Sequence, residues 1–154
     1  MRIAVLADTH VTGLQQLPAK IVHTISTVNL VIHAGDFTEI QLLEELKQLN
    51  TVKAVHGNMD STELKTALPC KELIEVGNKR IGVTHGWGAP WGIEDRLRKV
   101  FSSDHIDIIV YGHSHHPQNK VINGILFFNP GRAASSFGIL TIDEDVRAEI
   151  VDSR

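Results

Sequence analysis

Residues 2–10 read RIAVLADTH, an apolar run that stops at the polar triplet Asp8-Thr9-His10. A run of about five residues rich in Val, Ile and Leu is typical of a buried β-strand. The pattern recurs along the chain, and each later run also ends in polar or turn-forming residues. These runs are LVIHA before Gly35-Asp36, VKAVH before Gly57-Asn58, RIGVT before His85-Gly86 and DIIVY before Gly112-His113. The sequence therefore predicts five buried strands that each end in a polar segment.

Helical patterns lie between the early strands, and the first covers roughly residues 14 to 28. The second, EIQLLEELKQL at residues 39–49, predicts an amphipathic helix. Its apolar face is predicted to consist of Ile40, Leu43, Leu46 and Leu49. The third pattern is GIEDRLRKVFSS, which starts near Gly92. Strands that alternate with helices in this way indicate an α/β protein.

The last third of the chain changes character. KVINGILFFNPG predicts a hairpin that turns at Asn123-Gly124, which is a strong two-residue turn signal. FGILTIDEDVRAEIVD predicts a second hairpin. A pair of sheets flanked by helices is the simplest arrangement of these elements.

The bulk composition limits the function classes. A length of 154 residues indicates one domain over residues 1–154, and a net charge of −3 argues against binding of polymeric nucleic acid. The only cysteine is Cys70, so no internal disulfide can form and a reducing compartment is expected. The first apolar run breaks at Asp8, which is too soon for a signal peptide or a membrane span. We therefore expect a cytoplasmic protein without a membrane partner.

The strand ends carry a mixed set of potential metal ligands. In α/β proteins, ligands bind outside the carboxyl ends of the strands, so these side chains are expected to converge. The set is Asp8, His10, Asp36, Asn58, His85, His113 and His115. Carboxylates, imidazoles and an amide together suit Mn, Fe, Zn, Ni or Co better than Mg, and seven ligands fit two ions that share one carboxylate.

Local alternation is expected to aim pairs of these ligands. Residues two apart on an extended segment point the same way, so Asp8 pairs with His10 and His113 with His115. Thr9 then points away from the site.

The motifs DTH, GD, GNMD, THG and GHSH, in this order over residues 8 to 115, resemble those of the calcineurin-like metallophosphoesterases. The later NPGR resembles a motif of their small prokaryotic phosphodiesterase branch. The resemblance implies a four-layer α/β/β/α sandwich with metals at the carboxyl ends of the strands. It implies one metal on Asp8, His10, Asp36 and His115. It implies a second on Asp36, Asn58, His85 and His113, with Asp36 bridging.

The activity implied by the resemblance is hydrolysis of a small, possibly nucleotide-like, phosphate ester. Two divalent transition metals, manganese first among them, would hold a bridging hydroxide for in-line attack on phosphorus. A phosphodiesterase is the leading hypothesis, and a phosphomonoesterase or nucleotidase with the same metals is the alternative. A non-catalytic scaffold of the same fold is the more distant alternative, and pairing of apolar strands into a homo-oligomer is left open.

Position 59 departs from the family pattern. Many members of the family have a histidine there, which protonates the leaving oxygen, whereas this chain has Met59. A thioether cannot donate a proton, so we predict a preference for good leaving groups or a donor elsewhere. His56 and His116 are the nearest candidates. Asp60 either orients its neighbours or caps a helix that begins near Ser61, and the cap is the preferred hypothesis.

The segment HGWGAPWG at residues 85–92 contains the only two tryptophans, Trp87 and Trp91. They could form a flat wall against a base or an aryl ester, or they could pack the loop onto the body of the protein. Arg132 stands where the branch usually has serine and is expected to be solvated at the surface.

Overall fold

The computed structural model describes all of residues 1–154, which form two five-stranded mixed sheets with helices on their outer faces. The strands are β1 (Arg2–Leu6), β2 (Leu30–His33), β3 (Val52–Ala54), β4 (Lys71–Val76), β5 (Lys79–Thr84), β6 (Ile108–Val110), β7 (Gln118–Ile122), β8 (Ile125–Asn129), β9 (Ser136–Ile142) and β10 (Val146–Asp152). The α-helices are α1 (Ala19–Ile25), α2 (Ile40–Leu49), α3 (Thr62–Ala67) and α4 (Ile93–Val100).

The five strands predicted from the apolar runs are β1, β2, β3, β5 and β6, and they belong to the parallel part of each sheet. The first sheet has the order β10-β9-β1-β2-β3, in which β1, β2 and β3 are parallel. The second has the order β4-β5-β6-β8-β7, in which β5, β6 and β8 are parallel. Parallel strands end at the same edge, so the polar segments that follow them are brought to one side of the molecule.

The core is divided into three apolar layers. The central layer lies between the sheets and includes Val5, Ile32, Val83 and Phe128. A second layer packs the first sheet against α1 and α2, and a third packs the second sheet against α4. Helix, sheet, sheet and helix therefore stack in that order, and the predicted four-layer α/β/β/α sandwich is confirmed.

The helix predicted over residues 14 to 28 is wrong in its extent. Residues Leu14–Gln16 form a single 3₁₀ turn, and α1 begins only after Pro18. Proline has no N–H to donate and fixes its own φ, so it starts a helix readily but does not continue one.

The apolar face predicted for α2 is also partly wrong. The residues of α2 that are buried are Leu42, Leu43 and Leu46, whereas Leu49 is exposed at the end of the helix.

The hairpin predictions are confirmed, and one hairpin was missed. Strands β7 and β8 pair across Asn123-Gly124, where both residues have positive φ, as a type I′ turn requires. Strands β9 and β10 form the second predicted hairpin. The missed hairpin joins β4 to β5 through Gly77. Its first strand alternates buried and exposed residues and lacks the continuous apolar run that marks the others.

None of the helices has the length and apolarity that crossing a membrane requires.

We expect Phe128→Ala to lower the free energy of unfolding by about 3–5 kcal/mol, because it leaves a cavity between the two sheets. Phe128 is fully buried in the central layer, and its ring packs where a side chain on Gly138 would stand. Val121→Ala on the exposed face of the same hairpin should change it by less than about 0.5 kcal/mol. Urea unfolding followed by circular dichroism measures both, and equal costs would contradict the layer assignment.

Candidate metal centre

All seven candidate ligands lie in the loops at the carboxyl edge of the two sheets. Backbone hydrogen bonds tie these loops together: the Asp8 N–H donates to Gly35 O at 3.0 Å, and the His10 N–H donates to Asp36 O at 3.1 Å. The loops of the second sheet are joined in the same way, with the N–H of Gly112 donating to His85 O at 3.1 Å. The strand ends are thus fastened to one another before any side chain contributes.

The backbone at these ligands is left-handed, so the expectation of extended, alternating ligand pairs is wrong. Seven non-glycine residues of the chain have positive φ, and five of them are candidate ligands. Those five are Asp8 (50°), His10 (50°), Asp36 (60°), His113 (66°) and His115 (60°). Each costs about 1 kcal/mol or more for a residue with a Cβ, and such strain concentrates at functional sites.

Two glycines allow the loops to approach closely. A Cβ on Gly57 would overlap the carboxylate and backbone of Asp36, and a Cβ on Gly112 would lie 3.0 Å from Asp8 Oδ2. Neither glycine has positive φ, so their role is small size, whereas Gly35 does turn the chain with φ of 96°.

The first group of ligands contains Asp8, His10, Asp36 and His115, with one ligand atom from each lying within 4.8 Å of the others. His115 Nε2 is 3.4 Å from Asp8 Oδ1 and 3.4 Å from His10 Nε2. His10 Nε2 is 3.8 Å from Asp36 Oδ2. Four donor atoms that converge without filling the space between them are suited to one cation.

The second group contains Asp36, Asn58, His85 and His113. His85 Nε2 is 3.3 Å from Asp36 Oδ2 and 3.1 Å from Asn58 Oδ1, and His113 Nδ1 is 3.3 Å from the same amide oxygen. Asp36 Oδ2 therefore lies within 4 Å of histidines of both groups. The two sets implied by the family resemblance are brought together by the fold, with Asp36 between them.

Buried charge at the centre fits a cation. Asp8 and Asp36 are both buried, and Asp8 Oδ2 has no hydrogen-bond partner at all. Burial raises the pKa of Asp8, against the opposing charges of His85 and His115. Burial also disfavours ionisation of Asp36, but hydrogen bonding and charge from His85 outweigh it and lower the pKa. A buried carboxylate oxygen without a partner is costly unless a positive charge faces it.

The remaining ring nitrogens of two histidines are held by backbone carbonyls. His85 Nδ1 is 2.7 Å from Ala34 O, and His113 Nε2 is 2.9 Å from Gly88 O. Each contact holds the N–H on the outer nitrogen and leaves the inner nitrogen with its lone pair, as a metal ligand requires.

A buried chain of polar groups supports the loops from beneath. The Gly35 N–H donates to His33 Nδ1, so the proton of this histidine is on Nε2, which lies 3.1 Å from Thr9 Oγ1. The Thr9 hydroxyl donates to Asp36 O at 3.2 Å. Full burial lowers the pKa of His33 to about 3, so His33 is neutral and acts as a support for the Asp36 loop.

Of the two roles considered for Asp60, the structure shows the orientation of neighbouring residues, and the preferred hypothesis of a helix cap is wrong. The Asp60 carboxylate accepts hydrogen bonds from the N–H groups of Asp36 (3.1 Å), Thr38 (2.9 Å) and Gly57 (2.7 Å). Ser61 caps α3 instead, accepting from the N–H of Leu64. Asp60 therefore fixes the loops after β2 and β3 against each other.

The residues proposed as proton donors occupy different places. His56 is half-buried and lines a cavity of about 350 Å³ that also touches Asn58 and His85. His116 is exposed, and its backbone N–H donates to Ser114 Oγ. The Met59 N–H donates to Asp36 Oδ1 at 2.8 Å while its side chain is 61% exposed. Position 59 therefore contributes to the site through its backbone.

The tryptophan loop is fastened by a residue that sequence reasoning missed. Arg96 of α4 donates to the carbonyl oxygens of Trp87 (3.1 Å), Trp91 (3.2 Å) and Ala89. Neither indole is packed onto the body, because Trp87 is 49% and Trp91 80% exposed. Arg132 is exposed, as expected.

Comparison with known proteins identifies the family. Residues 1–145 match the calcineurin-like phosphoesterase superfamily domain, and the chain belongs to that superfamily. It is 34% identical to a "probable metallophosphoesterase" of Methanocaldococcus jannaschii, over 98% of this chain and 81% of that protein. A phosphodiesterase of the same organism is 26% identical over 98% and 99% of the two chains.

A solved structure with the same fold is Vps29 of Entamoeba histolytica in complex with zinc. It has a TM-score of 0.78 and 27% identity, and the match covers all of both chains. Members of the superfamily bind divalent metals and act on phosphate esters, and this chain has a candidate site for such ions.

We expect Mn²⁺ to stabilise the metal-free protein, because ions that bind only the folded state add to its stability. At one hundred times the dissociation constant the gain is about 2.7 kcal/mol, or about 5–10 °C in melting temperature. Without metal, Asp36→Asn should melt lower than wild type, because it removes the carboxylate that pairs with His85, and it should lose most of the gain that Mn²⁺ gives the wild type. The exposed control Asp95→Asn should keep it. A full gain in Asp36→Asn, measured by calorimetry, would contradict the shared role of Asp36.

Proposed function

We propose that residues 1–154 act as one domain, a metal-dependent phosphodiesterase that holds two divalent ions. The observation that carries this proposal is the position of Asp36, whose Oδ2 lies 3.8 Å from His10 Nε2 and 3.3 Å from His85 Nε2. A carboxylate oxygen between two sets of ligands is the arrangement that two neighbouring cations require. Asp8, His10 and His115 complete one set, and Asn58, His85 and His113 complete the other.

Two ions held there would activate water at neutral pH and neutralise the charge on phosphoryl oxygens. The chain itself supplies rigid positioning. Asp60 and the His33–Thr9 chain hold the Asp36 loop, and the carbonyls of Ala34 and Gly88 orient two of the histidines. Preorganised groups of this kind need little rearrangement when charge develops on the substrate.

The identity of position 59 supports an ester with a good leaving group over an alkyl monoester. The side chain of Met59 is exposed and cannot protonate a leaving oxygen. Without a proton donor, an alkyl monoester loses its alkoxide slowly. The leaving group of an aryl ester is a phenol or a similarly acidic alcohol, which can leave as the anion. His56, on the wall of the adjacent cavity, is better located than His116 to assist.

Two alternatives share this fold. A phosphomonoesterase would use the same ligands and would differ only in its preference for leaving groups. A scaffold would need no metal chemistry, and the presence of all seven candidate ligands together with the buried, unpartnered Asp8 Oδ2 favours catalysis over that role.

We expect metal-stripped protein reloaded with Mn²⁺ to hydrolyse bis-p-nitrophenyl phosphate faster than p-nitrophenyl phosphate. Asp36→Asn should lower kcat/KM for the diester by at least about a hundredfold, since it weakens both ion sites at once. Release of p-nitrophenolate measures the rates. Faster turnover of the monoester would favour the phosphomonoesterase, and no turnover of either ester would favour the scaffold.

The variant Met59→His should restore a proton donor at the site. We expect its rate on phenyl methyl phosphate, whose phenol is a poorer leaving group than p-nitrophenol, to rise by about tenfold to a hundredfold. Hydrolysis of bis-p-nitrophenyl phosphate, whose leaving group needs no proton, should change by less than about threefold. Met59→Gln is the control of similar size that lacks an acidic proton. An equal rise with glutamine would show that proton donation is not what position 59 lacks.

A further inference from the structure

The proposed function uses the cavity of about 350 Å³ beside the metal centre only through His56 on its wall. Two candidate ligands, Asn58 and His85, form part of its wall, so the cavity and the ion sites are continuous. The rest of the wall includes Trp87 from the loop after β5 and Lys65 from α3. The cavity therefore offers an ester bound at the metals a space lined by an aromatic ring and a cation.

We propose that this cavity is the leaving-group subsite of the phosphodiester, and that it takes an aromatic or heterocyclic group. Trp87 forms the flat wall for that group, and the ammonium group of Lys65 stabilises the departing oxygen. The inference rests on the proposed function and adds the chemical class of the substrate.

The wall at Trp87 is positioned by the backbone of its loop. Three hydrogen bonds from Arg96 fix the carbonyls of Trp87, Ala89 and Trp91. The carbonyl of Gly88 in the same loop accepts from His113 Nε2 at 2.9 Å. The backbone that carries Trp87 is therefore fixed relative to a candidate metal ligand, and the residue is half exposed. A partly exposed aromatic ring on a fixed backbone loses little freedom when it stacks on a second ring.

The charge at Lys65 has no carboxylate partner. Its Nζ donates to Asn58 O at 3.0 Å, and it forms no salt bridge. Lys71, which also lines the cavity, differs because its Nζ is 2.5 Å from Asp104 Oδ2. The ammonium group of Lys65 thus lies against the peptide between Asn58 and Met59. This peptide adjoins position 59, where many members of the family have a histidine. An ammonium group there can offset negative charge on an oxygen that leaves without a proton.

The chain contains two tryptophans, so the subsite can be observed through two indole N–H signals in a ¹H–¹⁵N spectrum. Zn²⁺-loaded protein is titrated with phenylphosphonate and, separately, with methylphosphonate. Spectra of Trp91→Phe assign the two signals. Phenylphosphonate should shift the Trp87 signal, leave that of Trp91 in place, and bind roughly three- to tenfold tighter than methylphosphonate.

The preference for phenylphosphonate should disappear in Trp87→Ala and remain in the matched control Trp91→Ala, whose ring does not line the cavity. An unchanged preference in Trp87→Ala, a shift confined to Trp91, or no binding of either phosphonate would overturn the subsite. These readouts require no turnover, so they are independent of the proposed activity.

The role of Lys65 is tested with aryl methyl phosphodiesters whose phenols differ in pKa. Lys65→Met should lower kcat by about tenfold for the least acidic phenol and by much less for p-nitrophenol. Lys47→Met on the exposed face of α2 is the control. An equal loss for every phenol would overturn the role of Lys65. Absence of turnover in all proteins would overturn that role and the phosphodiesterase together, whereas the phosphonate titration would still decide the role of Trp87.

Discussion

The burial of two carboxylates, Asp8 and Asp36, is the constraint around which the site is arranged. Buried negative charge is costly, and Asp8 Oδ2 has neither a hydrogen-bond donor nor water-facing surface to offset it. Imidazole nitrogens lie 3.3–3.9 Å from the carboxylate oxygens, at distances that leave room between the groups. The centre therefore fits a bound cation, and the loops at this edge hold that arrangement.

Holding the arrangement costs conformational strain. Five candidate ligands have left-handed backbones, and the surrounding hydrogen bonds compensate for them. Asp60 accepts three backbone N–H groups from two loops, and His33 and Thr9 support the Asp36 loop from the core. The strained loops lie at one edge of the parallel strands. They bring candidate ligands from the ends of five strands close together.

The cavity beside the candidate metal centre is held by other contacts. The Met59 N–H donates to Asp36 Oδ1, whereas its side chain is exposed. The neighbouring cavity presents Trp87 and Lys65, which come from separate elements and are fixed by Arg96 and by Asn58 O.

The layered fold and the candidate ligands could be predicted from the sequence, because both depend on local signals. Apolar runs of strand length mark the parallel strands, and the polar residues at their ends are gathered by the geometry of any α/β sheet. Tertiary structure decided what local pattern could not. The left-handed turns at Asp8 and His10, the hydrogen bonds of Asp60 and the fastening of the tryptophan loop by Arg96 all depend on contacts between segments distant in the chain. The spacing of residues within one segment does not predict such contacts, because the groups that stabilise them belong to another segment, distant in the sequence.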